Sequence, residues 1–113
     1  SKEFIMDLEQ ARQVKKQCIE TIHEMNESRR KTHDLLKDIS SILIENDIWF
    51  EMNSSAGEIH LSDDASIYVD DKGIFLNCVD LPSRSVTEYA WSTHDDSWKV
   101  SLADIIVNIN EQY

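Results

Sequence analysis

The sequence contains very little glycine and proline: Gly57, Gly73 and Pro82 account for all of both. Loops that cradle phosphate, and the dinucleotide-binding fingerprint, need several closely spaced glycines so that the backbone can approach the ligand. Two separated glycines exclude both kinds of loop. The G-x-S-x-G and H-E-x-x-H motifs of hydrolases are also absent from the sequence. We therefore predict a protein that is not an enzyme and that holds no cofactor.

Cysteine is equally scarce, and long hydrophobic runs are missing. Cys18 and Cys78 are far apart, with no Cys-x-x-Cys pair, so they are either small core residues in a reducing compartment or partners in one disulfide. No apolar run approaches the ~20 residues of a membrane-spanning helix. Residues 1–6 lack the apolar centre of a secretory signal. We expect a cytoplasmic protein that does not enter the membrane.

Basic residues are rare in the second half of the chain, although the whole chain has a net charge of −11. Residues 1–46 hold nine acidic and eight basic residues, whereas residues 47–113 hold thirteen acidic residues against Lys72, Arg84 and Lys99. Such a field repels nucleic acid and anionic membranes. We expect no direct contact with either, and a protein partner that presents a basic surface.

Residues 4–45 contain neither glycine nor proline and are rich in good helix formers. Their apolar residues recur at spacings of three and four, which predicts an amphipathic helix. Residues 26–34 interrupt that pattern, because they include no apolar side chain. Two structures fit: one helix of ~43 residues, or a helical hairpin that breaks near residues 26–32. We favour the continuous helix, since the polar stretch contains no helix-stopping residue.

A continuous helix would be longer than the sheet that follows it, because strands of five residues span only ~17–20 Å. Its first half would then carry an apolar stripe that nothing in the same chain covers. We expect a second copy to cover it, which makes residues 1–46 a dimerisation arm, although a hairpin would allow a monomer. The predicted dimerisation residues are Phe4, Leu8, Ala11, Cys18, Ile22 and Met25.

After residue 46 the apolar pattern changes to period two, and short turn-forming segments separate the repeats. Connections this short predict an antiparallel meander of five or six strands, with Trp98 and Val100 in the sixth. In the strand before it, Val86 and Ala90 alternate with Tyr89 and its neighbours. A short helix over residues 101–111, started by an S-x-x-D capping box at Ser101, would pack on the sheet. The predicted class is α+β, with residues 47–113 forming the sheet domain.

The segment "WSTHDDSW", residues 91–98, resembles a site because His94, Asp95 and Asp96 stand together. Histidine and aspartate are common metal ligands, but neighbouring residues rarely direct their side chains at one ion. Aspartate and serine also form turns, by bonding nearby backbone amides. We favour a turn in which Trp91 and Trp98 make a cross-strand aromatic pair.

Aspartates also occur in several other predicted loops. Alternate loops of a meander lie at the same end of the sheet, so each end should carry a group of carboxylates. A weak cation site at either end is one interpretation; we favour a surface that binds a partner protein, or one that keeps the domain soluble. The predicted surface comprises Asp63, Asp64 and Asp80 at one end, and Asp70, Asp71, Asp95 and Asp96 at the other.

Three functions follow from these features. The first is an acidic inhibitor that mimics DNA, of the type found among phage and mobile-element anti-defence proteins, which occupies a basic nucleic-acid-binding surface. The second is a small acidic dimeric chaperone or immunity-type protein that masks a client. The third is an enzyme that uses the aspartate groups with a divalent metal. We favour the first.

Overall fold

A computed structural model describes residues 7–80 and 82–112, which form a long helix, an antiparallel sheet and a short helix, and so confirms the α+β class. Within that range the elements are α1 (Leu8–Glu45), β1 (Glu51–Asn53), β2 (Glu58–Ser62), β3 (Ala65–Asp70), β4 (Gly73–Asp80), β5 (Ser85–Trp91) and α2 (Trp98–Gln112).

Helix α1 is continuous over 38 residues, so the alternative of a helical hairpin is wrong. It begins after Asp7, whose side chain accepts a hydrogen bond of 2.9 Å from the backbone N–H of Gln10 and satisfies one of the unpaired donors of the first turn. The polar stretch stays helical because it contains no breaker, and Arg30 pairs with Glu27 across one turn. Phe4, one of the predicted dimerisation residues, lies outside the described residues.

The last turn of α1 ends in a Schellman motif that reverses the chain towards the sheet. The N–H of Asp47 donates to the carbonyl of Ile44, and the N–H of Ile48 donates to the carbonyl of Leu43. Leu43 and Ile48 are both buried, which is the hydrophobic contact that accompanies this motif. Asp47 supplies the left-handed residue, with φ 54°, a conformation that favours glycine.

Replacing Asp47 with glycine is expected to raise the free energy of unfolding by about 0.5–1 kcal/mol, because glycine adopts a positive φ without strain from a β-carbon. Urea denaturation followed by circular dichroism measures the change. Asp47→Ala is the matched control, since it removes the same charge but keeps a β-carbon and has no preference for a positive φ. Equal stability of the two variants would show that charge, and not backbone conformation, is responsible.

The sheet is a simple meander in the order β1-β2-β3-β4-β5, with every neighbouring pair antiparallel. This confirms the predicted topology and gives five strands in the described part of the chain. One face of the sheet, the inner face, is covered by both helices, and the other, the outer face, is open to solvent. The inner face is the apolar half of the alternation and includes the buried residues Ile59, Ala65, Ile67, Val69, Ile74, Leu76 and Cys78.

The core lies between the inner face and the two helices. From α1 it takes Leu36, Ile39 and Leu43, which are the last apolar residues of the helical stripe. From α2 it takes Trp98, Leu102 and Ile106, which recur every four residues and so lie on one face. The same helix that forms the arm therefore also anchors the sheet.

The predicted sixth strand is wrong, because Trp98 and Val100 lie in the first turn of α2. The helix begins three residues earlier than the predicted 101–111, and Ser101 is not its cap. Instead, the hydroxyl oxygen of Ser101 accepts a hydrogen bond of 3.0 Å from the indole N–H of Trp91. The helical spacing of the buried residues Trp98 and Leu102 outweighed the short alternation that indicated a strand.

The first part of α1 extends beyond the sheet. The radius of gyration is 20.3 Å and the longest dimension 69 Å, against ~13 Å for the radius of gyration of a compact chain of this length. Residues 8–26 are exposed apart from the half-buried Ala11, and we call this segment the arm. The end of the sheet from which it extends is the proximal end, and the opposite end is the distal end.

Candidate interaction surfaces

The meander distributes its loops between the two ends as predicted. Loops 54–57, 71–72 and 92–97 lie at the proximal end, whereas loop 63–64, loop 82–84 and the α1–β1 turn lie at the distal end. The predicted surface residues are thus divided between two ends of the domain, and their role in binding stays a prediction.

The distal end is almost entirely acidic. Asp64 lies beside the end of β4, because its carbonyl accepts a hydrogen bond of 2.8 Å from the N–H of Val79. This brings loop 63–64 next to Asp80, whose carboxylate accepts a hydrogen bond of 2.6 Å from the hydroxyl of Thr87. Among the described residues of the distal loops, Arg84 is the single base.

The proximal end carries mixed charge, unlike the predicted group of carboxylates. The carboxylate of Asp70 is used locally, since it accepts hydrogen bonds from the backbone N–H groups of Lys72 and Gly73. The ammonium of Lys99 lies 3.5 Å from a carboxylate oxygen of Asp96. Lys31 approaches the same end from α1 and lines a groove with Lys72. These bases offset the aspartates.

The segment 91–98 forms a local turn, as we favoured. The hydroxyl and the backbone N–H of Ser97 donate hydrogen bonds to Asp95 and hold the pKa of that carboxyl below its usual value. The ring of His94 contacts Asp95 on one side and the Ser92 hydroxyl on the other. Over residues 7–80 and 82–112, no three His, Cys, Asp or Glu side chains are grouped so as to hold a metal ion.

The predicted pairing of Trp91 with Trp98 is wrong. Trp91 stacks instead on Tyr89, two residues earlier in the same strand, with ring centroids 6.0 Å apart and planes at 13°. Both rings lie against the core from the inner face, while Trp98 is buried in α2. Val86 and Ala90 consequently point outward, and the alternation in β5 has its aromatic side facing the core.

The arm presents an uncovered apolar stripe. The described dimerisation residues, from Leu8 to Met25, lie along it, with Lys15 in the same stripe. Five large aliphatic side chains of the arm are between 45 and 68% exposed: Leu8, Val14, Ile19, Ile22 and Met25. Single exposed hydrophobic residues are normal on a surface, but a contiguous row along a helix indicates a binding face.

The two cysteines differ in environment. Cys18 is exposed on the arm, which corrects its interpretation as a core residue, and Cys78 is buried in β4. Both are free thiols, so the alternative of a disulfide between them is wrong. Burial, and after it the nearby carboxylate of Asp80, raises the pKa of the Cys78 thiol.

Sequence reasoning missed the open edge of the sheet. Strand β5 is an edge strand of seven residues with Glu88 as its single charge and no proline. On the outer side of β5, Val86 is 60% exposed. Ala90, also on that side, begins a row of apolar side chains that crosses the sheet through its register partner Phe75 to Tyr68. Native proteins usually protect long edge strands with charge, proline or brevity. Brevity does protect the other edge, since β1 has three residues.

Three polar side chains contact one another in a row on the outer face. Their order is carboxylate, imidazole and hydroxyl, which is the order of acid, base and nucleophile in a catalytic triad. Glu58 lies 2.9 Å from one ring nitrogen of His60, and the Ser66 hydroxyl lies 3.0 Å from the other. Ser66 is part of an interior strand whose backbone N–H groups bond to β2 and β4, so they are not available to stabilise an oxyanion. The arrangement therefore serves as an ordinary cross-strand contact.

Two grooves flank the place where the arm leaves the sheet. One, of about 530 Å³, lies between α1 and loop 54–57 and is lined by Arg29 and Asp70. Gly57 keeps this loop close to β3: its φ is +65°, and a β-carbon there would lie 2.4 Å from the Val69 carbonyl oxygen. The other groove, of about 440 Å³, is lined by Lys31 and His94. Both grooves combine basic, acidic and hydroxyl groups.

No model of a known protein family, no curated protein and no solved structure matches this chain. Along the part of the chain that the structure describes, neither helix combines the length and the hydropathy needed to cross a lipid bilayer.

Proposed function

We propose that the protein is a non-enzymatic interaction module, in which the arm forms a homodimer and the acidic sheet domain engages a basic, nucleic-acid-binding surface of a partner protein. The observation that carries the proposal is the division of the molecule. An electrically balanced arm exposes an apolar stripe, and a separate sheet domain holds nearly all of the net charge. This favours an inhibitor of the DNA-mimic type in the cytoplasm.

The distal end is the part of the sheet domain best suited to a basic partner. Its aspartates are at the far end from the arm, so a dimer leaves them accessible. At the proximal end, by contrast, Lys31, Lys72 and Lys99 would repel the same partner. Opposed surface charges accelerate association and select partners, and salt screens them over about 8–10 Å.

The test is capture of partners from host lysate at low and at high salt, with identification of the recovered proteins and competition by duplex DNA. We expect a basic nucleic-acid-binding protein that is recovered at low salt, lost at high salt and displaced by DNA. The variant Asp63→Asn/Asp64→Asn/Asp80→Asn should weaken its binding at least tenfold, because it removes three charges from the distal end.

The matched control is Asp34→Asn/Asp71→Asn/Asp96→Asn, which removes three charges near the proximal end and should retain most of the binding. Equal losses in the two variants would contradict the distal assignment. Binding that survives high salt and ignores DNA would contradict the mimic altogether.

The open edge supports a second candidate, a dimeric chaperone or immunity-type protein that masks a client segment. An exposed edge strand can pair with an extended peptide through backbone hydrogen bonds. Binding of this kind should persist at high salt and fall in the variants Val86→Lys and Ala90→Lys, whose side chains are exposed in the free protein. The first candidate predicts the opposite salt response and little effect of the two substitutions.

A further inference from the structure

We infer that two copies of the arm pair antiparallel, so that the two acidic sheet domains stand at opposite ends of a rod. The inference rests on the dimerisation proposed above and adds its geometry. Two observations carry it: the position of Lys15 within the apolar stripe, and the exposed apolar surface of the arm.

Spacings of three and four residues place Leu8, Ala11, Cys18, Ile22 and Met25 in one heptad frame. The frame continues through Arg29 and Thr32 before it reaches Leu36 in the core, so the apolar stripe of the arm ends at Met25.

Lys15 occupies a core position of this frame. In a parallel pair it would face Lys15 of the second copy directly, with two ammonium groups in an apolar seam. In the antiparallel pair it faces Cys18 of the second copy, and the other layers join Leu8 to Met25 and Ala11 to Ile22. The two lysines of the antiparallel pair then lie in neighbouring layers, each opposite a cysteine and not directly opposite the other.

The exposed apolar surface of the arm is large enough for such a pair, but it is close to the smallest area that a specific interface needs. Each aliphatic side chain contributes roughly 100 Å², so five of them give about 500 Å² per copy, or ~1,000 Å² for the pair. That value is at the lower limit for a specific interface. We therefore expect a dimer that dissociates within the micromolar range.

The antiparallel pair separates the two sheet domains widely. Its two-fold axis passes between residues 16 and 17, and the anchoring residue Ile39 lies ~34 Å from that axis along the helix. The domains are thus about 70 Å apart, with their distal ends facing outward. A partner with two basic sites at that distance, such as a rod-like or dimeric protein, would be held at both and gain affinity from the linkage.

Disulfide cross-linking tests the geometry, with each new cysteine placed in the Cys18→Ser background so that the buried Cys78 is the remaining thiol. Leu8→Cys and Met25→Cys are purified separately, mixed, and oxidised at tens of micromolar. We expect disulfides joining position 8 of one copy to position 25 of the other, identified by peptide mass spectrometry, with little cross-linking of either variant alone. Gln13→Cys, on the outer side of the arm, is the control for random collision and should stay uncross-linked.

Cross-links of 8 to 8 or of 25 to 25 would show a parallel pair. That result would overturn this inference and leave the proposed dimer standing. Sedimentation of the unmodified protein as a monomer at 100 micromolar would overturn both. Ile22→Glu should weaken self-association at least thirtyfold with the sheet still folded, whereas Gln17→Glu, the same charge change on the outer side, should not.

Discussion

Replacing Trp98 with alanine is expected to lower the free energy of unfolding by about 3–5 kcal/mol, the usual range for a fully buried large aromatic residue. Trp98 is 2% exposed and is the first residue of α2, so it fixes the helix on the sheet at the point where the chain enters it. Removal of the indole leaves a cavity in the core, which is built from the sheet, α1 and α2. These elements would have to shift together to fill it. Urea denaturation followed by circular dichroism measures the change.

Trp49→Ala is the matched control for this experiment, because Trp49 is 64% exposed and contributes little to the core. Its effect should stay within about 0.5 kcal/mol. A small loss from Trp98→Ala, with a normal fold retained, would mean that the start of α2 is not part of the core.

The second large effect is expected from Ile39→Ala, which should lower the free energy of unfolding by about 2–4 kcal/mol. Ile39 is fully buried between the sheet and α2, and it is the central residue of the three that anchor α1. Within the described residues, the arm is joined to the sheet domain through the rest of α1 alone. Weakened anchoring should therefore also lower the helical signal at temperatures where the sheet is still folded, measured by thermal melts in the far ultraviolet.

Ile44→Ala is the control, since Ile44 lies in the same helix and is 68% exposed. Alanine is the better helix former, so this change should be neutral or slightly stabilising. Equal losses from the two substitutions would show that the effect came from the helix itself and not from its packing on the sheet.

The long helix and the meander could be predicted because each has a clear period over many residues. Residues 4–45 contain no breaker, and the short turns after residue 46 force neighbouring strands to be antiparallel. The first turn of α2 was missed for the opposite reason. Trp98 and Val100 are two apolar residues with one residue between them, and so short a run fits a strand as well as the start of a helix.

The face of β5 was ambiguous for a related reason. Val86 and Ala90 on one side, and Tyr89 and Trp91 on the other, are all residues that a core accepts. The hydrogen bond from Trp91 to Ser101 in α2 decides between the two sides, and a contact between distant elements does not appear in a local pattern. The sequence did contain one signal for the correct face: Tyr89 and Trp91 are the larger side chains of β5, and larger apolar side chains favour the core.

The charges at the two ends of the sheet were predicted only in part. The loop order of a meander correctly placed the aspartates at both ends. The bases at the proximal end come partly from Lys31, and its position depends on the direction in which α1 crosses the sheet. Charge counts along the chain contain no information on that direction, so the difference between the ends emerged only from the structure.

The unequal edges of the sheet limit how the protein can grow by adding strands. β5 offers a long, nearly uncharged edge, while β1 at the other side has three residues. If two copies join through β5, both long edges are consumed, and the ten strands that result end in short edges on either side. Each sheet has one long edge, so pairing through β5 closes at two sheets and cannot extend further strand by strand.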